Sequence, residues 1–211
     1  MAFDYKKEYK EFYLPPRTPG IVTVPAMNFL AVRGQGDPNE EHGAYKQALE
    51  QLYAVAYTIK MNKRNPPEGY FDYVVPPLEG FWEQDGGGAI DYDNKAAFRW
   101  TSVLRLPDFV TRADLAWAVE TASQKKKLDC TAAEFLTVDE GLCVQLLHLG
   151  PFDEEPASVA RMDRYLAEHG YENDWESGRL HHEIYLSDAR RVPPENWRTV
   201  IRHPIRPADA D

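Results

Sequence analysis

Apolar and polar residues alternate over residues 21–33, where β-branched side chains are frequent and Pro25 interrupts the run. A period of two reads as a strand. Asp37-Pro38-Asn39 makes a turn, after which Tyr45, Ala48, Leu49, Leu52, Val55, Ala56 and Ile59 recur at the spacing of one helix face. Two strand-like runs follow, 71–82 and 98–106, separated by a Gly86-Gly87-Gly88 loop. The first half of the chain reads β-α-β-β.

A helical stretch over 113–126 comes next, and the order then recurs. A strand at 142–148 leads through a Gly150-Pro151 turn into a helix with Val159, Met162, Tyr165 and Leu166 on one face, and strands at 180–186 and 197–205 complete the set. The turn Arg33-Gly34-Gln35-Gly36-Asp37 corresponds to His148-Leu149-Gly150-Pro151-Phe152-Asp153, and Glu79-Gly80-Phe81-Trp82 aligns with Glu183-Ile184-Tyr185-Leu186. The pattern predicts one α+β domain over 1–211, a duplicated β-α-β-β module with halves at about 21–106 and 141–205 and a helical connector at about 112–127. Two half-sheets would join into one antiparallel sheet with helices on one face, leaving the other face as an open ligand groove between the halves.

Composition narrows the function. Hydrophobic content of 43% with 12% aromatic and 27% charged residues is that of a folded globular protein. The net charge of -10 would repel a phosphate backbone, so nucleic acid is not an expected partner. The first residues are polar and alternately charged, and no stretch approaches the roughly 20 apolar residues that span a bilayer, which predicts a cytoplasmic protein with no membrane partner. In such a compartment Cys130 and Cys143 are expected as reduced thiols.

The run 180–186 carries the most chemistry. Alternation puts Leu180, His182, Ile184 and Leu186 on one face, suited to a helix-covered core, and His181, Glu183 and Tyr185 on the other, facing the groove. A carboxylate among apolar walls has its pKa raised by desolvation, which serves a general base or a cation-binding group; at a solvated sheet edge the same residue would be inert. Glu79, aligned with Glu183, supplies a second candidate, and Tyr73, Phe81, Trp82, Trp100, Tyr185 and His181 are the expected ligand-binding walls. Alternation does not decide which face Trp100 occupies. His181-His182-Glu183 looks like a metal cluster, but strand neighbours point opposite ways, so no metal is expected. Asp85-Gly86-Gly87-Gly88 lacks the Gly-Lys-Ser/Thr ending of a phosphate loop, and no serine or cysteine sits in a nucleophile signature.

Gln145-Leu146-Leu147-His148-Leu149-Gly150-Pro151 and Glu183-Ile184-Tyr185-Leu186-Ser187-Asp188, with Leu78-Glu79-Gly80-Phe81-Trp82, resemble the GyrI-like small-molecule-binding proteins, over about 21–205. The resemblance implies a duplicated module with a central groove and assigns the ligand-contacting glutamate to Glu183. In transcription regulators of this kind the domain follows a DNA-binding segment, for which the roughly twenty residues before the first strand leave no room, so a regulatory role would need a separate partner. The stand-alone branch that the chain is most similar to includes cyclopropanoid cyclopropyl hydrolases, which bind planar aromatic alkylators in an aromatic cage and need no cofactor. The expectation is therefore hydrolysis of reactive xenobiotics with Glu183 or Glu79 acting on water. The alternatives are sequestration without turnover, effector sensing for a regulator, and inhibition of a DNA-acting enzyme.

Overall fold

In the computed structural model, which describes residues 2–62, 66–84, 90–91, 93–175 and 178–208, Pro25 divides the first predicted strand in two. The chain enters through two single-turn helices, α1 (Tyr5–Glu8) and α2 (Lys10–Tyr13), then forms β1 (Gly20–Val24) and β2 (Met27–Gln35). Helix α3 (Ala44–Lys60), strands β3 (Leu78–Gln84) and β4 (Phe98–Arg105) and helix α4 (Arg112–Lys126) follow. The second half contains β5 (Glu134–Val138), β6 (Gly141–Leu149), α5 (Glu155–His169), β7 (Tyr171–Asn173), β8 (His181–Tyr185) and β9 (Arg198–Pro207). The sequence pattern missed α1, α2, β5 and β7, which are short. It also extended the third strand too far, because Pro76 and Pro77 have no N–H to give a ladder and only Tyr73 of that stretch bridges, to Phe3. The predicted Gly86-Gly87-Gly88 loop lies outside the described residues.

The antiparallel sheet runs β1-β6-β9-β8-β3-β4-β2-β5, with β7 paired to the far part of β9. Only Pro25 and Ala26 separate β1 from β2, and only Asp139 and Glu140 separate β5 from β6, yet each link joins opposite ends of that order. Strands about 4.8 Å apart cannot be spanned this way in a flat sheet, so the sheet curls until its ends meet. The ladders show it: Val24 pairs with Gly141 and Met27 with Val138, one ribbon carried across both links.

Helix α3 packs over β2 and β4 with α4 against it, while α5 packs over β6 and β7. The central pair β3 and β8 runs under the gap between them. Ala48, Leu52, Val55, Ala56 and Ile59 of α3 bury one stripe against Leu30, Val32 and Leu104, as their spacing dictates. Helix α4 is capped by the Thr111–Asp114 box and buries Leu115, Ala118 and Ala122, so it is part of this core as well as a connector. The opposite face is not an open groove. Tyr5, Phe12 and Tyr13 from α1 and α2, together with Tyr73, cover Phe29, Phe81, Val103, Ile184 and Val200 there. Among the described residues no helix is long and apolar enough to cross a membrane.

Candidate functional site

The ladder registers decide which residues share the gap. In the first half Gly34 pairs with Trp100 and Trp100 with Trp82; in the second His148 pairs with Thr199 and Thr199 with Tyr185. Since Gly36 and Gly150 close the corresponding turns, both at positive φ, Trp82 occupies the place of Tyr185 and Gly80 that of Glu183. The alignment of Glu79 with Glu183 is thus one residue out, and a one-residue slip moves a side chain through the sheet. Glu79 falls on His182, not on Glu183, and lies on the other face.

Under the gap, Glu183 is 7% exposed. His181 Nε2 donates to its Oε1 at 2.9 Å and the Tyr185 hydroxyl to its Oε2 at 2.7 Å. Glu155, the first residue of α5 and fully buried, is in hydrogen-bond contact with the same carboxylate. Two carboxyl groups in such contact need a proton between them. Burial pushes the Glu183 pKa up, but donation from His181, Tyr185 and Glu155 outweighs it and the carboxylate lies below its ordinary value. The desolvated, raised carboxylate expected from sequence is therefore corrected: its donors win. Glu155, His181 and Glu183 bring one ligand atom each within 4.8 Å of one another, a grouping of three residues from two elements that strand alternation alone does not suggest, while His182 points to the opposite face.

Aromatic residues enclose this carboxylate. Tyr185 accepts from Trp82 Nε1 at 2.9 Å, and Tyr45 of α3 packs on both Trp82 and Trp100, with ring centroids 5.6 and 5.2 Å away. Phe152 stands against Tyr185 and Trp197 on the α5 side. Gly80 makes the close packing possible, because a Cβ there would come within 2.7 Å of Trp82 Nε1 and 3.2 Å of the Tyr185 hydroxyl. Trp82 is 6% exposed and Trp100 is also buried, so both are core as well as wall. Tyr45, Tyr185, Phe152 and Trp197 are half-buried at the rim.

The remaining sequence candidates lie elsewhere. Glu79, 2% exposed, accepts from the Tyr13 hydroxyl at 3.2 Å and lies 3.0 Å from His182 Nε2. Phe81 stacks on His182 at 4.1 Å, and Tyr73 is buried beside Phe71 and Phe109. None of the three reaches Glu183, since all sit on the face covered by α1 and α2. That face holds a closed ion cluster. His182 Nδ1 bonds Glu140 at 2.9 Å, Arg202 donates to Glu140 at 2.8 Å and to Gln145 at 3.0 Å, and Arg202 also donates to the Phe12 carbonyl at 2.8 Å. Burial raises the Glu140 pKa, but His182 and Arg202 pull it down to about 2. The free cysteines are inert: burial and Glu140 push Cys143 up to about 12, and burial raises Cys130.

Sequence reasoning missed Tyr45, Phe152, Glu155, Trp197 and His203. Two left a signal. Glu155 lies on the helix stripe of Ser158, Met162 and Leu166, and His203 alternates with Ile201 and Ile205 on the buried side of β9, so each is a polar residue at a core position.

The chain is similar to an uncharacterized conserved protein from Listeria innocua, with 48% identity, a TM-score of 0.90, and coverage of 97% of this chain and 100% of that one. A hydrolase from Listeria innocua is 46% identical with a TM-score of 0.87, over 97% of this chain and 100% of its own. The EcmrR C-terminal domain shares the fold at 11% identity, with a TM-score of 0.57 over 90% of this chain and 98% of that one. No curated protein matches. The sequence pattern of the GyrI-like small molecule binding domain matches residues 17–206, and the chain belongs to that family.

Proposed function

We propose that the protein is a cytoplasmic, cofactor-independent hydrolase that takes planar aromatic electrophiles into the gap between α3 and α5 and adds water to them, with strained cyclopropane-bearing alkylators as the substrate class. The observation that carries this is Glu183: a buried, ionised carboxylate, oriented by His181 and Tyr185, directly beneath aromatic rings. Tyr45, Trp82, Trp100 and Tyr185 would stack the flat substrate, and Glu183 would orient water toward the reactive methylene and accept its proton as the C–O bond forms and the strained ring C–C bond breaks, that proton then passing to the anion of the opened product. The Listeria innocua hydrolase, similar along the whole chain, supports an enzyme over a passive binder.

A second reading, binding without turnover, is favoured by the fact that both Glu183 oxygens already have donors. Product separates the two. Purified protein incubated with a cyclopropane-bearing alkylator should yield a species heavier by one water in mass spectrometry. Quenching of tryptophan fluorescence with no such product would leave sequestration as the function.

A further inference from the structure

Behind His181, away from the aromatic rings, its Nδ1 lies 2.7 Å from Nε2 of His203 on β9. Both imidazoles are buried, His203 at 2% exposure, and His203 Nδ1 has no hydrogen-bond partner among the described residues. One proton must lie between the two facing nitrogens, and its owner follows from the ends of the chain. His181 Nε2 faces an ionised carboxylate and must carry a hydrogen. If His203 carried its hydrogen on Nδ1, a buried N–H would meet no acceptor among the described residues, which is costlier and rarer than a bare ring lone pair.

We infer that His203 is a positioning residue: it holds its hydrogen on Nε2, donates it to His181 Nδ1, and so fixes His181 as the Nε2–H donor that orients Glu183. This rests on the hydrolytic reading of Glu183 for its kinetic consequence but not for its tautomers. Burial holds His203 well below the usual imidazole range, so it stays uncharged and its tautomer is set by hydrogen bonding. The other groups facing this chain are Tyr185 on the same strand, Glu155 from α5, Tyr45 from α3, His148 from β6, which feels the Glu183 charge, and, beside His203, the ring of Trp175 with its centroid 4.8 Å away. None of them donates to His181 Nδ1, which makes His203 the group that determines how His181 is held.

The test has two arms. Nitrogen-15 spectra of the resting protein labelled in histidine should show His203 protonated at Nε2 and bare at Nδ1; a hydrogen on Nδ1 overturns the inference whether or not the protein is an enzyme. In turnover of a cyclopropane-bearing alkylator, His203→Leu should lower kcat on the order of 10- to 100-fold with little change in KM. Its acid limb should move to higher pH, because Glu183 loses an oriented donor. His203→Gln, whose amide can donate to His181, should restore the position of the limb. A leucine variant with wild-type kcat and limb overturns the inference, as does a glutamine variant that behaves like leucine. Wild-type turnover by Glu183→Gln would instead defeat the hydrolytic reading, leaving the tautomers to be judged from the spectra.

Discussion

On one face of β8, His182 lies between Glu79 and Glu140, and Arg202 completes the cluster beneath α2; on the other, His181 donates to Glu183, whose further partners are a phenol and a second carboxyl. Both faces bury two glutamates and a histidine contributed by one short strand. Only the first adds a guanidinium, together with the backbone of α2, so its charges cancel internally and the cluster serves stability. The donors around Glu183 carry no permanent charge. They keep the carboxylate ionised without neutralising it, which leaves its field available to a bound molecule.

The sharpest way to break this contrast is to remove one carboxylate from each face. Glu183→Gln should lower turnover by roughly 10²- to 10⁴-fold while the protein unfolds near its normal midpoint. Glu79→Gln should do the reverse, losing stability at nearly unchanged kcat. Equal kinetic effects in steady-state assays would mean that the faces are coupled.

Next in size is Arg202→Met, which leaves Glu140 buried without its cation and should cost about 3–5 kcal/mol in urea unfolding, with dye affinity in the gap preserved. The same cluster sets a pH window. Burial lowers the His182 pKa, but Glu140 and Glu79 raise it above its ordinary value, so its contribution is complete below about 6.5 and is lost as pH rises through the folded value. Glu140 acts oppositely: its contribution is present above the ordinary 4.5 and disappears as pH falls toward about 2. Urea midpoints should therefore be highest between these limits, and Glu140→Gln should flatten the acid side.

The smallest effect separates rim from floor. Tyr45→Ala removes a half-buried ring and should weaken binding of a flat cationic dye by about 0.5–1.5 kcal/mol at nearly constant stability. Trp82→Ala should instead cost about 3–5 kcal/mol of folding free energy, because the ring is also core. Fluorescence titration beside thermal unfolding checks both, and a stable Trp82→Ala protein would reassign that ring to the rim alone.

Periodicity was sufficient for the long elements. The stripe of α3, the alternation of β8 and the repeated order of strands follow from side-chain geometry that depends only on neighbours along the chain. The same alternation placed His181, Glu183 and Tyr185 together, as the structure has them. Aligning the halves by residue type, without ladders, put Glu79 opposite Glu183. The structure puts Gly80 there, and the single step changes the face.

Local sequence thus determined which residues of one strand share a face, since a strand's own geometry fixes that. It did not determine what each face meets. Whether the groove lies beneath α3 and α5 or on the opposite face depends on where residues 3–14 pack and on how two two-residue links curl the sheet, contacts between positions far apart along the chain. Spacing marks Glu155 and His203 as polar residues on apolar stripes, but that they meet Glu183 and His181 follows only from how α5 and β9 pack against β8. Tertiary structure alone decided that one carboxylate would be closed off with arginine and the other placed beneath aromatic rings.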